Sequence, residues 1–493
     1  MTKIRWVWEL MGFALLSVIA LYAMAPFRSN LIIVLVLAVP FTLVFLAPSA
    51  ARALVDNSAE LAKSFSWWHW LVLLAILSGL NFHTVVRDVK DVTSNPLDAE
   101  ALFRIGVEAL TAAVLLKRLV NHQSSWLKEL FRGLFGFLTL FVIISIASTF
   151  WSVNPLWSLY KSVEYGVDVV LIISLVLLLP SMQQYKKLLD WIWTVTGVLM
   201  VVAWVSAIID PVDGFSYGLQ GNFPIPQLSG VWPAQSPNGI GTYGAIIATV
   251  ALSRIMLYPE NKKFRGWYWM LFGFSILTMI MTDCRTAIAG LALAILILLF
   301  LTRRFIAGAV VAAVGTVAVL LSGFGTVIYD YLLRGQHEGE VATLTGRTEW
   351  WSVAWQFILQ RPFFGWGAFA GGRFIVMPHV NHPDLTDVDS SILEPLLDTG
   401  IFGLLFLLLA LAGTWWYLNR GARGRSLGSG ERLLAAECMA VLGVITFRCF
   451  FVSNLIRHPA FSFIAILGFA EMIRRHLKFG AGSLDGEIHT YVK

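Results

Sequence analysis

A run of titratable side chains, PHVNHPDLTDVDSS, lies between Pro378 and Ser391. It brings two imidazoles and three carboxylates close together along the chain: His379, His382, Asp384, Asp387 and Asp389. Such groups can act as general bases or hold a divalent cation. Their spacing matches neither the calcium loop of an EF-hand nor an HExxH zinc site, so we expect a general base and no bound metal.

Arginines form a second group that could do chemistry. Arg285 lies in the short turn TDCRT, Arg334 and Arg347 lie in the polar stretch 330–391, and Arg457 lies near the last apolar segment. Guanidinium groups bind phosphate oxygens in pairs, so several arginines on one face would favour a polyanion. The alternative is that each one pairs with a nearby acid, which for Arg347 means Glu349 or another acid of the same stretch.

A third set of charges is Lys161, Glu164 and Asp168, spaced so that all three lie on one face of a helix. They are candidates to line a substrate groove. An ordinary ion pair at a helix end explains them equally well.

The elements that position these groups are apolar. The chain has 493 residues, of which 57% are hydrophobic and 13% are charged, more apolar surface than a soluble core of this size can bury. Apolar runs long enough to cross about 30 Å of hydrocarbon recur along it. We therefore predict an all-α integral membrane protein with about 14 helices (12–14). The predicted crossings are 6–25, 31–49, 67–82, 99–117, 133–149, 165–180, 190–209, 239–257, 266–282, 286–302, 305–329, 392–418, 432–450 and 459–473.

Basic residues collect in alternate loops, near residues 117–132, 186–187, 254–265, 303–304, 420–432 and 474–478. The positive-inside rule places these loops and both termini in the cytoplasm. The stretch 330–391 and the loop 210–238, which has no Lys or Arg, then face outward. We read the net charge of +6 as this topology signal and expect no nucleic-acid partner.

Within the outer stretch, TGRTEWWSVAWQFILQRP predicts an amphipathic helix at the membrane surface, because Trp350, Ala354 and Ile358 fall at helical spacing and Pro362 ends it. Arg347 would lie at its start, where free N–H groups favour an anion. The glycines of FFGWGAFAGGRF then permit a tight non-helical path.

Four motifs resemble the superfamily of O-antigen ligases and Wzy-type polymerases of bacterial envelope polysaccharides. Ser390 is followed after nine residues by Gly400 and then Gly403, the family spacing, although Asp389 stands where the ligases have His. The other three are TDCRTAIAG, TGRTEWW with PFFGWGAF, and WPAQSPNGIGTYGA, which contains Asn238. Together they cover about residues 230–410.

The resemblance implies a GT-C-like membrane glycosyltransferase of the bacterial inner membrane with a periplasmic active site. Its donor would be an oligosaccharide on a polyprenyl diphosphate, and its acceptor another glycan or a lipid A core. Arg285 and Arg347 would bind the diphosphate, with Arg334 and Arg457 as weaker additions, and Asp389 would be the base unless His382 or His379 replaces it. No cofactor or metal is implied; a flippase and a chain-length regulator are further expected partners.

The same reading divides the chain into N-terminal helices (1–229), a catalytic region (230–410) that includes the loop 330–391, and C-terminal helices with a tail (411–493). Asp389 in place of His favours a polymerase, and ligation stays the alternative. A solute transporter is the alternative from another class, with Glu9, Arg104 and Glu108 as its intramembrane charges. The absence of a recognisable repeat and the outward position of the polar residues favour the enzyme.

Overall fold

The computed structural model describes residues 66–80, 99–121, 126–179, 181–216, 227–258, 264–306, 347–380, 387–457 and 460–479, with isolated positions between 308 and 316 and Leu385. The described chain forms two compact units. The Arg285 unit comprises the described part of 196–342, and the Arg347 unit comprises that of 66–195 and 343–493. The predicted sites Arg334 and His382 and the predicted crossings 6–25 and 31–49 lie outside the described residues.

The Arg347 unit consists of helices. They are α1 (Trp67–Ser78), α2 (Ala99–Asn121), α3 (Trp126–Leu130), α4 (Gly133–Ala147), α5 (Pro155–Leu178), the first half of α6 (Met182–Ile209), α11 (Arg347–Gln360), α12 (Met377–His379), α13 (Leu393–Arg423), α14 (Ser429–Arg448) and α15 (Ala460–Phe479). A 3-10 turn (Ser148–Trp151) follows α4, and a π-helical turn (Gly372–Val376) precedes α12.

The Arg285 unit contains the second half of α6, α7 (Pro211–Gly214), α8 (Pro237–Leu257), α9 (Arg265–Met281) and α10 (Arg285–Leu301). Two antiparallel pairs of very short strands lie between α7 and α8: β1 (Phe215–Ser216) with β2 (Gln227–Leu228), and β3 (Gly230–Val231) with β4 (Ala234–Gln235).

The all-α membrane class is confirmed, because five helices are long and apolar enough to cross a bilayer: the segment Gly133–Trp151 and the helices α6, α8, α10 and α13 (with Thr302 after α10). The predicted crossings that fall on described residues coincide with helices, but a total of about fourteen is not confirmed. Two bounds differ from the prediction. Helix α1 has only 12 residues, about 18 Å of rise, and α5 begins at Pro155 rather than at residue 165.

Helix α5 starts early because Asn154 caps it and Pro155 occupies its first turn. The Asn154 side chain accepts the Trp157 N–H at 3.2 Å. The first two turns are too polar for a hydropathy window to include, which is why the prediction missed them. The polar residues Lys161 and Glu164 are therefore part of a helix that continues into the apolar segment.

In the Arg285 unit, α8 is buried along most of its length and packs on α9 and α10. Gly241 allows this approach, since a Cβ atom there would overlap the Cys284 side chain. The starts of α8 and α10 consequently lie side by side, and α8 packs on α9 as well.

In the Arg347 unit, an ionic network joins three helices. Glu471 of α15 is fully buried and accepts hydrogen bonds from Arg474 and Arg475 and, at 3.0 Å, from the Leu134 N–H at the start of α4. Arg475 also donates to Glu129 of α3 at 2.7 Å. Residues 337 positions apart in sequence thus complete one helix start.

The predicted surface helix is confirmed as α11, which begins at Arg347. Ala354 and Ile358 are buried, and they pack with Val376, Met377 and Leu397 in one apolar cluster. Trp355 and Leu359 on the other side are about half exposed. The helix therefore has one face fixed to the protein and one apolar face that suits a lipid surface.

Candidate active site

Arg347 and Asp389 form an ion pair outside the membrane-spanning helices. Both bonds go to one carboxylate oxygen: Nε of Arg347 lies 3.1 Å and Nη2 lies 2.8 Å from Oδ2 of Asp389. Their side chains are 17% and 26% exposed, so both remain within reach of a substrate. Of the two acids that the sequence offered as partners for Arg347, an acid elsewhere in the loop forms the pair, while Glu349 is exposed in the first turn of α11.

Asp389 is held in an unusual backbone conformation, with φ at 53°. Its N–H donates to Oδ1 of Asp387 at 2.9 Å, which fixes the turn. Asp tolerates the left-handed region better than most residues because its short side chain bonds locally. The carboxylate is therefore aimed at the start of α11 by the turn itself.

Burial and the neighbouring charge of Asp387 raise the pKa of Asp389, Arg347 lowers it, and the net pKa is about 6. A carboxylate with this pKa is a stronger base than an ordinary Asp and is still mostly ionised at neutral pH. This is the property expected of a group that accepts a proton near pH 7.

A second ion network lies directly behind this pair. Arg457 binds Asp387, with Nε 3.2 Å from Oδ2, and binds Glu394, with Nη2 2.5 Å from Oε1. Glu394 is fully buried and also accepts from the Val388 N–H and the Ser453 hydroxyl, each at 3.1 Å. Arg457 thus fixes the turn that carries Asp389, and its predicted role in binding a diphosphate stays a prediction.

The glycine-rich loop between α11 and α12 is fixed by the start of α13. Asp398 is buried and its two carboxylate oxygens accept the N–H groups of Phe369, at 2.7 Å, and Gly371, at 2.9 Å. Gly400, with φ at 70°, kinks α13 where a side chain would overlap Phe363. These amide groups are occupied by a side chain of the protein, so this loop is a structural support.

Replacing Asp398 by Ala should lower the stability of the protein clearly. The change leaves two buried N–H groups without an acceptor, at a cost of about 1–3 kcal/mol each. The midpoint of thermal unfolding of the detergent-purified protein measures it, with Asp190→Ala in the exposed Lys186–Asp190 pair as control. An unchanged midpoint for Asp398→Ala would show that the loop does not depend on this carboxylate.

His379 makes its contacts with residues other than Arg347 and Asp389. Its Nδ1 is 2.6 Å from the Ile375 carbonyl oxygen, and its ring meets the Phe357 ring edge-on at 4.9 Å. The described residues include no hydrogen bond between His379 and Asp389. The roles proposed from sequence for His379 and His382 as bases or substrate ligands stay predictions.

Arg285 and Asn238, which belong to motifs more than 40 residues apart, are brought together in the Arg285 unit. Arg285 is the first residue of α10 and Asn238 is the second of α8. The thiol of Cys284 lies 3.4 Å from Oδ1 of Asn238 and joins the two helix starts. Helix N-termini favour an anion, and the role of Arg285 in binding a diphosphate stays a prediction.

The predicted set Lys161, Glu164 and Asp168 proves to be part of a larger polar cluster. Lys161 forms an ion pair with Glu164. Arg104 of α2 reaches the same carboxylate, with Nη2 3.4 Å from Oε1. The sequence had marked Arg104 and Glu108 as isolated charges within an apolar segment, and pairing with α5 accounts for Arg104.

Sequence reasoning missed the functions of Asp398, Glu394 and Ser453, all buried around the turn that carries Asp389. A signal was present for the two acids. Carboxylates in the first turns of an apolar helix are costly unless they are bonded, so their presence predicts a network there.

The fold and the site define a multi-pass helical membrane protein with a guanidinium–carboxylate centre outside its spanning helices. Residues 270–408 match the sequence model of the O-antigen ligase family, Wzy_C. This confirms the resemblance, and the matched segment contains Arg285, Arg347 and Asp389. The match covers this segment and supports a glycosyltransferase-like function of the membrane glycan ligase or polymerase kind. No curated protein matches the chain.

Proposed function

We propose that this protein polymerises oligosaccharide repeat units carried on a polyprenyl diphosphate, at the periplasmic face of the bacterial inner membrane. The observation that carries the proposal is the contact between Arg347 and Asp389 within the matched segment. It places a group suited to diphosphate next to a carboxylate suited to proton transfer. Both are tasks that displacement of a diphosphate by a sugar hydroxyl requires.

In the proposed reaction the acceptor hydroxyl oxygen forms a bond to the anomeric carbon of the donor. The bond from that carbon to the diphosphate oxygen breaks, and its electron pair leaves with the diphosphate. Asp389 takes the hydroxyl proton. Arg347 and Arg285 neutralise the leaving group, which allows the reaction to proceed without a metal.

The ion pair must open for this to happen, because the Arg347 guanidinium covers Oδ2 of Asp389. A diphosphate carries more negative charge than one carboxylate and competes for the guanidinium. Moving Arg347 onto the donor removes the positive charge that lowers the pKa of Asp389. Donor binding therefore makes Asp389 a stronger base at the moment when a base is needed.

The remaining predicted residues would serve binding. Arg334 and Arg457 would extend the diphosphate site, Asn238 would support Arg285, and His379 or His382 would contact the sugars. Lys161, Glu164 and Asp168 would line the acceptor groove. A flippase would supply the donor and a chain-length regulator would limit the product, with both termini of this protein in the cytoplasm.

Reconstitution tests the proposal and separates polymerase from ligase. The purified protein in liposomes receives a defined polyprenyl diphosphate oligosaccharide, with EDTA and without lipid A core. A ladder of longer glycans on the polyprenyl carrier is the expected result. Transfer only after lipid A core is added would assign ligation, the alternative that the family description favours. If transfer occurs when EDTA is left out and stops when EDTA is present, metal independence is refuted. If neither acceptor receives glycan, the proposed function is refuted.

A further inference from the structure

A cluster of charged side chains of both signs lies where α1, α2 and α5 of the Arg347 unit meet. We call Arg104, Glu108, Lys161, Glu164 and Asp168 the α2–α5 cluster. Arg104 donates from Nε to the Ser78 carbonyl oxygen of α1 at 2.6 Å and from Nη2 to Glu164. Lys161 pairs with the other oxygen of Glu164. The Arg104 guanidinium of α2 thus joins α1, through Ser78, to α5, through Glu164.

The burial of Glu108 is not explained by the hydrogen bonds of this network. It lies one turn after Arg104 on α2, and its side chain is buried, with 8% exposed. Its Oε1 has no hydrogen-bond partner among the described residues, although the charges of Glu164, Lys161 and Arg104 act on it. A buried carboxyl oxygen without a partner is costly, so a fixed one indicates a ligand that completes it.

The cluster is recessed but open. The side chains of Arg104, Lys161 and Glu164 are 14%, 19% and 17% exposed. Arg104 and Glu108 lie about 8 and 14 Å along α2 from its start at Ala99. A small polar ligand entering from that end of the helices would meet Lys161 and Arg104 first and Glu108 deeper in.

Aromatic rings form one wall of the cluster and lead to the candidate active site. The ammonium of Lys161 lies 4.9 Å from the centre of the Tyr160 ring and 5.7 Å from that of Trp157. Trp157 donates its indole N–H to the Phe369 carbonyl oxygen at 2.9 Å. Phe369 belongs to the loop that Asp398 fixes, so the wall and the loop before Asp389 form one connected structure.

The charge balance selects the ligand. The two cations disfavour a metal or an amine, and the three carboxyl groups disfavour a phosphate or a carboxylate. A neutral polyhydroxylated ring suits the cations and the carboxyl groups alike, since hydroxyls donate to carboxylates and accept from ammonium and guanidinium groups. Its C–H faces can pack on Tyr160 and Trp157.

We infer that the α2–α5 cluster binds a neutral sugar ring of the acceptor glycan, with Glu108 and Arg104 as ligands. The inference rests on the proposed function. It assigns specificity for the acceptor to a pocket distinct from the Arg347–Asp389 pair and places that pocket in the N-terminal part of the chain, outside the matched segment 270–408.

Binding can be measured without catalysis. The probe is the neutral oligosaccharide released by mild acid from its polyprenyl diphosphate, titrated into the full-length protein in nanodiscs. Glu108→Gln keeps the shape of the side chain, and we expect it to raise the Kd of the probe about tenfold, the effect of losing one buried hydrogen bond. Asp190→Asn, in a partly exposed pair on α6, is the matched control and should bind as the unaltered protein does.

In the transfer reaction, Glu108→Gln should raise the KM for the acceptor about tenfold and leave kcat and the KM for the donor unchanged. If Glu108→Gln does not fold, Lys161→Gln takes its place with the same expectation. If Glu108→Gln, or Lys161→Gln in its place, binds the probe and the acceptor normally, the inference is overturned. A change in the melting midpoint of the variant does not alter that conclusion. The proposed function and the proposed sugar site can be refuted separately. A protein that binds the probe but transfers no glycan refutes the function and leaves the sugar site standing.

Discussion

Asp389→Asn is expected to reduce transfer by about 10²–10⁴-fold, the usual contribution of a general base. Asn has the shape of Asp and can still accept from Arg347, so the turn and α11 should be retained. What disappears is the ability to take the proton of the acceptor hydroxyl. The measurement is the initial rate of glycan transfer by the reconstituted protein, with its melting midpoint as the check on folding.

The pH dependence gives the same prediction a second readout. Burial raises the pKa of Asp389 to about 6, and the base is active when deprotonated. The value of kcat/KM should therefore be constant above this pH and fall about tenfold per pH unit below it. In Asp389→Asn this fall should be absent from whatever rate remains.

Glu349→Gln is the matched control, because Glu349 is an exposed acid in the first turn of α11, close to Arg347 in the chain. It should transfer glycan at the normal rate. Full activity of Asp389→Asn would instead give the role of base to His382 or His379.

Arg347→Ala and Arg285→Ala should each abolish chain growth while the protein still inserts and folds. Removing one group that stabilises developing charge on a leaving group typically costs about 10²–10³-fold in rate, and a guanidinium fork that binds diphosphate through two bonds falls at the upper end. Arg347→Lys should recover only a small part of the rate, since an ammonium keeps the charge but loses the fork.

Arg347→Ala should also move the pH profile, which a purely structural role would not do. The guanidinium lowers the pKa of Asp389, so its removal should shift the fall in kcat/KM to a pH above 6. Arg361→Gln tests a matched cation at the other end of α11, where the guanidinium stacks on Trp366 at 4.0 Å. Its profile should stay unchanged, and full activity in both alanine variants would refute diphosphate binding by these arginines.

Much of the helical framework could be predicted because the signals are local. Ser236 caps α8 and Pro237 begins it, and the alternation of apolar and polar residues in 347–360 gives α11 its bounds. Helix α5 shows where prediction of helix bounds from average hydropathy is wrong. Lys161 and Glu164 lower the average of its first turns, although those residues are helical and point into a polar cluster.

The pairing of charges could not be predicted, because it depends on which helices become neighbours. Arg347 lies 42 residues before its partner Asp389, and Arg457 lies 63 residues after Glu394. The sequence identified Arg347 and Asp389 as separate participants and ranked Arg457 among the diphosphate ligands. Only the fold shows Arg457 bound to two carboxylates beneath the turn. The same holds for Arg104, whose contact with α5 has no counterpart in spacing.

The Glu471 network has a consequence for the order of assembly in the membrane. The amide of Leu134 at the start of α4 is completed by a side chain of α15, the last described helix to be synthesised. Until α15 has inserted, that amide and the Glu129 carboxylate of α3 lack the partners that Glu471 and Arg475 supply. Helix α4 therefore reaches its final hydrogen bonding only after α15 has joined it, so the packing of an early helix depends on a late one.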